Sequence, residues 1–167
     1  MDSTNNYALK LAREGAPHGT VVHADEQTSG RGQFERKWIS EPGKDLLVSF
    51  IVRPKLKARE ASQITLKAAE LIRQELVSIY GLKDSDLSIK APNDILLRGN
   101  KVSGILSESS SKGDLLEYVV IGVGINLNSD PKANIPNSTS FYRELLRKIE
   151  ISLVLERLSK TILQNII

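Results

Sequence analysis

The fold is predicted most directly by residues 20–52, which read TVVHADEQTSGRGQFERKWISEPGKDLLVSFIV. The two ends of this stretch, residues 20–24 and 46–52, are apolar and rich in β-branched side chains, which is typical of strands. A turn-forming sequence, Glu-Pro-Gly-Lys-Asp at residues 41–45, directly precedes the second of them. The stretch therefore predicts two strands of a sheet joined through a long basic loop, residues 28–38.

Glycine and arginine dominate that loop. Gly30 and Gly32 flank Arg31, and Arg36 and the single tryptophan, Trp38, follow. Glycine lets a backbone approach a ligand closely, and guanidinium groups donate paired hydrogen bonds to carboxylate or phosphate. The same residues also fit an exposed basic hairpin loop that binds nothing. On these residues alone both interpretations stay open.

Outside this stretch, the spacing of apolar residues alternates between helical and strand-like periods. Ser3 or Thr4 is a suitable N-cap for a first helix, and the Gly99-Asn100 pair predicts a hairpin turn. Consecutive hairpins predict an α+β fold with a mixed, largely antiparallel central sheet flanked by helices. The predicted helices are 3–14, 58–80 and 138–140 to near the C-terminus; the predicted strands are 20–24, 46–52, 87–90, 95–98, 101–106 and 115–126, with 109–113 as a polar connection.

Gly122 and Gly124 lie two residues apart in the last predicted strand and so point to the same face of the sheet. Glycine weakens a strand, so two on one face indicate that something packs closely there. A ligand and a crossing helix are both suitable occupants.

Composition limits the possible function classes. The chain has 167 residues, 40% of them hydrophobic and 26% charged, which predicts one soluble domain, residues 1–167. Its net charge of +3 gives little support to nucleic-acid binding. Cysteine is absent, which excludes disulfides and thiolate metal sites, and there is no signal pattern or membrane-length apolar run. We expect a cytoplasmic protein that binds neither DNA nor a membrane.

Four polar clusters lie at strand ends or turns, where ligand sites are usually built. Each also has a purely structural explanation, as a helix cap, a turn or a solvated strand residue. The sequence contains no phosphate-binding loop ending in Gly-Lys-Ser/Thr and no Ser-His-Asp or Cys-His set, which favours catalysis by positioning and charge stabilisation. The clusters are Ser3-Thr4-Asn5, Gln27 with the Gly-Arg-Gly loop, Lys90 with Pro92-Asn93-Asp94, and Lys101 with Gly104.

Five motifs occur in a characteristic order: Asp-Ser-Thr-Asn at 2–5, Gln-Thr-Ser-Gly-Arg-Gly at 27–32, Lys-x-Pro-Asn-Asp at 90–94, Lys-x-x-Gly-Ile-Leu at 101–106 and Gly-x-Gly-Ile-Asn at 122–126. Together they resemble the catalytic domain of biotin protein ligases (biotin–[acetyl-CoA-carboxylase] ligases) over residues 2–127. The resemblance implies a fold related to lipoate ligases and class II aminoacyl-tRNA synthetases. It also implies that biotin and MgATP form biotinyl-5′-adenylate, from which a lysine of a biotin carboxyl carrier domain takes the biotin.

The resemblance also implies roles for individual residues. Lys101 matches the family's main catalytic lysine, with Arg31 and Lys90 as further catalytic cations. Asp94 is an additional suggestion of ours, as a carboxylate that orients the acceptor lysine. The implied biotin-binding residues are Ser3, Thr4, Asn5, Gln27, Gly30, Arg31, Gly32, Gln33, Lys101 and Gly104, and the implied ATP- or adenylate-binding residues are Arg36, Trp38, Asn93, Asp94 and Asn126. No residue is predicted to bind a metal directly, and a homodimer is consistent with the family.

Three residues depart from the family pattern. Gln33 replaces an arginine of the loop, Glu35 replaces a glycine, and Ala91 replaces a tryptophan that usually precedes Pro-Asn-Asp. We also expect the chain to lack the family's DNA-binding winged helix and C-terminal β-barrel. These departures leave two alternatives to catalysis of biotin transfer. One is a diverged relative that binds biotin, its adenylate or a protein partner without efficient turnover, and the other is transfer of lipoate or octanoate.

Overall fold

The computed structural model describes residues 1–131 and 135–167, which form one six-stranded sheet with helices on both faces. All described strand pairs are antiparallel, in the order β1-β2-β6-β5-β4-β3. The predicted α+β fold with a largely antiparallel sheet is therefore confirmed. The strands are β1 Thr20–Ala24, β2 Leu46–Val52, β3 Leu87–Lys90, β4 Asp94–Leu97, β5 Asn100–Lys112 and β6 Leu115–Ile125.

The α-helices in the described part of the chain are α1 Thr4–Arg13, α2 Ala61–Tyr80, α3 Phe141–Leu145 and α4 Ile151–Asn165. The Ser3 hydroxyl caps α1 by accepting a hydrogen bond from the Asn6 N–H, and Gly81 ends α2 with a φ of 65°. The sequence predicts both helix ends, with Ser3 or Thr4 as the N-cap of the first helix and Gly81 as the C-cap of the second. Of the described helices, none combines the length and apolar character that a membrane span requires.

The prediction of one continuous C-terminal helix is wrong. Ser140 does cap α3, but that helix ends at Leu146, whose φ of 53° is left-handed. The Asn128 side chain then holds the linker, since its Nδ2 donates to the Ile149 carbonyl at 2.9 Å and its Oδ1 accepts from the Ile149 N–H at 3.1 Å. The apolar stripe continues in α4, so periodicity alone did not reveal the break.

Residues 109–113 were predicted as a polar connection, and this too is wrong. β5 continues to Lys112, which pairs with Leu115 of β6. The turn lies at Gly113, whose φ is 60°. Polar side chains are tolerated at this end of the hairpin because the ladder with β6 supplies the backbone hydrogen bonds.

Side chains of β2 alternate between the two faces of the sheet. Leu46, Val48 and Phe50 belong to the larger core under α2 and α4, whereas Ile51 belongs to the smaller core under α1. Every residue of β2 is buried, as its unbroken apolar run predicts. The Ser49 side chain, between them, lies under α1 and is also fully buried.

Asp45 ties the beginning of β2 to the segment that follows β6. Its buried carboxylate accepts hydrogen bonds from the Leu127 N–H at 3.0 Å and the Glu41 N–H at 3.4 Å. Burial raises the pKa of the Asp45 carboxyl above its ordinary value, and these hydrogen bonds offset part of that rise.

Candidate active site

The α1 face of the sheet carries a narrow cleft of about 50 Å³, here named the first cleft. The beginning of α1, the basic loop, β5 and β6 together form its walls. Of the residues predicted to bind biotin, Gly30 alone does not line it. The predicted residues on its lining are Ser3, Thr4, Asn5, Gln27, Arg31, Gly32, Gln33, Lys101 and Gly104.

Glycines on adjacent strands let other side chains lie directly against this face of the sheet. Gly104 of β5 is the cross-strand partner of Gly124, and Gly122 is the partner of Ser49. A Cβ on Gly122 would lie 2.0 Å from Asn5 Oδ1, and one on Gly124 would lie 2.4 Å from Trp38 Cε2. The space above the two glycines is therefore occupied by a side chain of α1 and by the tryptophan of the loop.

Hydrogen bonds fix the side chains at the beginning of α1. The Thr4 N–H and hydroxyl both donate to Gln27 Oε1, at 2.7 and 3.0 Å. Because these bonds use the Gln27 carbonyl oxygen, its Nε2 N–H groups are left as donors. Ser49 Oγ lies 2.6 Å from Asn5 Oδ1 and donates to it. Ser49 Oγ also lies 2.9 Å from Thr4 Oγ1, so the side chains of Thr4, Asn5, Gln27 and Ser49 form one network.

Glu108 belongs to the same network, although sequence reasoning missed it. The Asn5 amide donates from Nδ2 to Glu108 Oε2 at 3.0 Å. Arg31 donates to both carboxylate oxygens, from Nη2 at 2.9 Å and from Nη1 at 3.1 Å. The available signal was strand alternation, since Gly104, Leu106 and Glu108 point to the same face of β5.

The loop is folded back on itself over this face. The Trp38 N–H donates to the Gly30 carbonyl at 2.9 Å, and the Gly32 N–H donates to the Arg36 carbonyl at 2.7 Å. A Cβ on Gly30 would lie 2.4 Å from the Trp38 carbonyl oxygen, so glycine is required there. Glu35 has a φ of 59°, a conformation that glycine adopts without cost. This left-handed conformation explains why the glycine of the family pattern would fit residue 35 better than glutamate does.

A second, wider cleft of about 460 Å³ also borders Trp38. All the predicted ATP- or adenylate-binding residues line it, and so does Lys90. Five residues line both clefts and form a shared wall: Gly32, Gln33, Trp38, Asn93 and Lys101. The remaining residues of the predicted nucleotide set that line it are Arg36, Asp94 and Asn126.

Positive charge predominates in the second cleft. Among its described lining residues, Asp94 is the single carboxylate, and its Oδ1 lies 2.8 Å from Lys101 Nζ. The Lys101 ammonium is also 5.7 Å from the centre of the Trp38 ring, within cation–π range. The other cations on the lining are Arg36, Lys37 and Lys90. Such a surface suits a polyanion.

Two asparagines of the predicted site have structural hydrogen bonds as well. Asn93 Nδ2 donates to the Ile105 carbonyl at 3.1 Å, and Asn126 Nδ2 donates to the Thr139 carbonyl at 3.0 Å. Ala91 is exposed and lines neither cleft. Within residues 1–131 and 135–167, no three His, Asp or Glu side chains are grouped as metal ligands would be.

Comparison with known sequences identifies the family. Residues 1–126 match the biotin/lipoate A/B protein ligase family. The chain belongs to the biotin/lipoate A/B protein ligase family. Two relatives show the level of similarity: the bifunctional ligase/repressor BirA of Bacillus subtilis is 41% identical over 131 residues, and the biotin–[acetyl-CoA-carboxylase] ligase of Paracoccus denitrificans is 41% identical over 132 residues.

The alignments cover most of this chain but a smaller part of each relative. The alignments include 78% and 79% of this chain but 39% of the Bacillus protein and 54% of the Paracoccus protein. The chain thus spans about two fifths to one half of these relatives. Among solved structures, the biotin protein ligase of Aquifex aeolicus in complex with biotin and ATP superposes with a TM-score of 0.79 at 30% identity, covering 99% of this chain and 66% of that one.

Proposed function

We propose that this chain is an ATP-dependent biotin ligase that forms biotinyl-5′-adenylate and transfers biotin to a lysine of a biotin carboxyl carrier domain. The observation that carries this proposal is the shared wall. A polar cleft suited to a small uncharged head group and a basic cleft suited to a nucleotide meet at Lys101 and Trp38. Two substrates in these clefts would meet at that wall, as an adenylation reaction requires.

Relatives support the same reaction. The Paracoccus relative is named a biotin–[acetyl-CoA-carboxylase] ligase, and the Aquifex structure holds biotin and ATP. We infer that biotin occupies the first cleft of this chain and ATP the second.

The first cleft supplies complementary groups for a ureido ring. Such a ring presents one carbonyl acceptor and two N–H donors. Gln27 offers Nε2 donors, the Ser3 hydroxyl can donate its proton, and the Thr4 hydroxyl, whose proton goes to Gln27, can accept. Because the Thr4–Gln27 and Ser49–Asn5 hydrogen bonds already fix these side chains, little ordering remains to be done on binding.

The chemical step needs positive charge at the wall. In the first reaction, a carboxylate oxygen of biotin attacks the α-phosphorus of ATP, the bond to the β-phosphate oxygen breaks, and pyrophosphate leaves. We infer that Lys101 offsets negative charge on the attacking carboxylate and the α-phosphoryl oxygens. Lys90 and Arg36 line the second cleft, and we infer that they contact the remaining phosphates. We also infer that Mg²⁺ accompanies the triphosphate, as it commonly does where proteins bind ATP.

In the second reaction, the amine of the acceptor lysine attacks the acyl carbon of the adenylate, AMP leaves, and an amide forms. The amine must lose a proton to become nucleophilic. Asp94 lines the second cleft, 2.8 Å from Lys101 Nζ, and we infer that it orients both that lysine and the acceptor amine. The carrier domain, a homodimer and a cytoplasmic location stay predictions.

Biotin-dependent exchange of labelled pyrophosphate into ATP tests the first reaction. Wild-type protein should exchange only with biotin present, and Lys101→Ala should lower the rate by on the order of 10²–10³. Lys67→Ala is the matched control, because Lys67 is exposed on α2, which packs on the opposite face of the sheet. Absence of exchange in folded wild-type protein would contradict catalysis.

The alternatives give different results in the same assays. A binding protein without turnover, for which Gln33 and Glu35 argue, would be stabilised thermally by biotin without exchange. Lipoate or octanoate transfer would appear as exchange that these acids support better than biotin does. Transfer is then tested with a purified carrier domain and mass spectrometry of its lysine.

A further inference from the structure

We propose that Glu108 is a positioning residue that holds the basic loop and the beginning of α1 in the arrangement the first cleft needs. Its effect on the reaction rests on the proposed function, whereas its effect on the loop does not. The proposal rests on three hydrogen bonds to one carboxylate, two from Arg31 and one from Asn5.

The Arg31–Glu108 pair has paired geometry. Nη2 lies 2.9 Å from Oε1 and Nη1 lies 3.1 Å from Oε2, so two roughly parallel hydrogen bonds fix both the distance and the angle between loop and strand. Nη1 also donates to Asn6 Oδ1 at 2.8 Å. One arginine therefore connects the loop to β5 and to α1.

Asn5 is fixed from both ends. Its Oδ1 accepts from the Ser49 hydroxyl at 2.6 Å, and its Nδ2 donates to Glu108 at 3.0 Å and to the Leu106 carbonyl at 3.1 Å. This side chain lies over Gly122, on the lining of the first cleft. Without Glu108, Asn5 would keep its contacts to β2 and β5, but the connection from Asn5 to the loop would be lost.

This geometry changes the role of Arg31. Both guanidinium nitrogens that point into the network are engaged by Glu108 and Asn6. The family resemblance implies that Arg31 is a catalytic cation and binds biotin. In this arrangement Arg31 acts on the ligand through the loop that it anchors, and Lys101 is the cation at the wall between the clefts.

The stability of the fold does not depend on this pair. The side chains of Arg31 and Glu108 are 41% and 27% exposed, and ion pairs of that exposure contribute little to folding. The consequence of breaking the pair is therefore expected in the position of the loop and in ligand affinity.

A charge exchange tests the proposal. Arg31→Glu and Glu108→Arg should each raise the KM for biotin about ten- to hundredfold, in line with the loss of charge-assisted hydrogen bonds. The KM for ATP should rise as well, because Gly32, Gln33 and Trp38 of the loop line both clefts. The double variant, which restores opposite charges, should recover most of the biotin affinity. If Arg31 instead holds a ligand anion directly, the double variant remains as defective as Arg31→Glu, and that result would overturn the proposal.

A second measurement does not require activity. Trypsin should cleave the Lys37–Trp38 bond faster in ligand-free Arg31→Glu, Glu108→Arg and Glu108→Gln than in wild type, and at nearly the wild-type rate in the exchanged double variant. Glu70→Gln, which weakens an ion pair with Arg73 on the distant helix α2, is the control and should leave cleavage unchanged. Unchanged cleavage in the single variants would contradict the positioning role. If wild-type protein resists trypsin at the loop as expected but does not exchange pyrophosphate into ATP, only the proposed function is contradicted.

Discussion

The two faces of the sheet are filled by different kinds of residue, and β2 shows this in adjacent positions. Phe50 points into the large core with α2 and α4, whereas Ser49 points under α1 and bonds to Asn5. The first face is continuous hydrocarbon. At its centre, the second face carries glycines, a serine and a carboxylate. The comparison indicates that the face under α2 and α4 supplies most of the stability. The face under α1 is less densely packed with apolar side chains and carries the ligand cleft.

The largest effect is expected on the apolar face. Phe50→Ala removes a fully buried ring and should lower the free energy of unfolding by about 3–5 kcal/mol. Urea denaturation measures it. Leu66→Ala on the exposed side of α2 is the control and should change stability by less than about 0.5 kcal/mol. A change in Phe50→Ala as small as that in Leu66→Ala would contradict the view that the apolar face supplies most of the stability.

A methyl group added to the polar face should have the next largest effect. Gly124→Ala would place a Cβ 2.4 Å from Trp38, so the indole must move. We expect a stability loss of about 1–3 kcal/mol and weaker binding of both substrates, since Trp38 borders both clefts. Because Trp38 is the single tryptophan, its fluorescence reports the displacement. In the Gly124→Ala background, Trp38→Phe should recover part of the lost stability. No recovery would show that the loss does not come from a clash with Trp38.

Ser49→Ala should separate stability from function. It removes the hydroxyl that donates to Asn5 Oδ1, which costs about 1 kcal/mol of folding free energy. Biotin affinity should fall by more than this stability loss suggests, because the Asn5 amide is then held only through its Nδ2 hydrogen bonds. Calorimetric titration with biotin gives the affinity. Ser62→Ala on the surface of α2 serves as the reference, and an unchanged affinity in Ser49→Ala would argue against a fixed Asn5.

The smallest effect concerns the end of β2. The pKa of Asp45 is raised in the folded protein by burial, so the folded state holds this proton more tightly than the unfolded chain does. Its stabilising contribution is therefore present below the unfolded pKa and is lost as pH rises through the folded pKa. Asp45→Asn should gain stability relative to wild type as pH rises from about 3 to about 7. A difference that stays constant with pH would contradict this assignment.

Sequence reasoning succeeded where the signal is local or ordered along the chain. Alternation identified the strands, Gly81 and Ser140 marked helix ends, and the five motifs identified the family. It failed where partners are distant. Glu108 lies 77 residues from Arg31, and the Asn128–Ile149 contacts that separate α3 from α4 join residues 21 apart. Strand alternation places Glu108 on the same face of β5 as Gly104, but no local pattern shows which distant residue either side chain contacts.

The shared wall also has a kinetic consequence if the proposed reaction holds. The adenylate would place one end in each cleft, with its anhydride at the wall formed by Lys101 and Trp38. Such a two-headed molecule loses its translational freedom once, and either end that detaches is kept at high local concentration by the other. Its escape rate would therefore be far lower than that of biotin or ATP alone. The intermediate would wait on the protein for its acceptor, and the loop carrying Trp38 would determine how long.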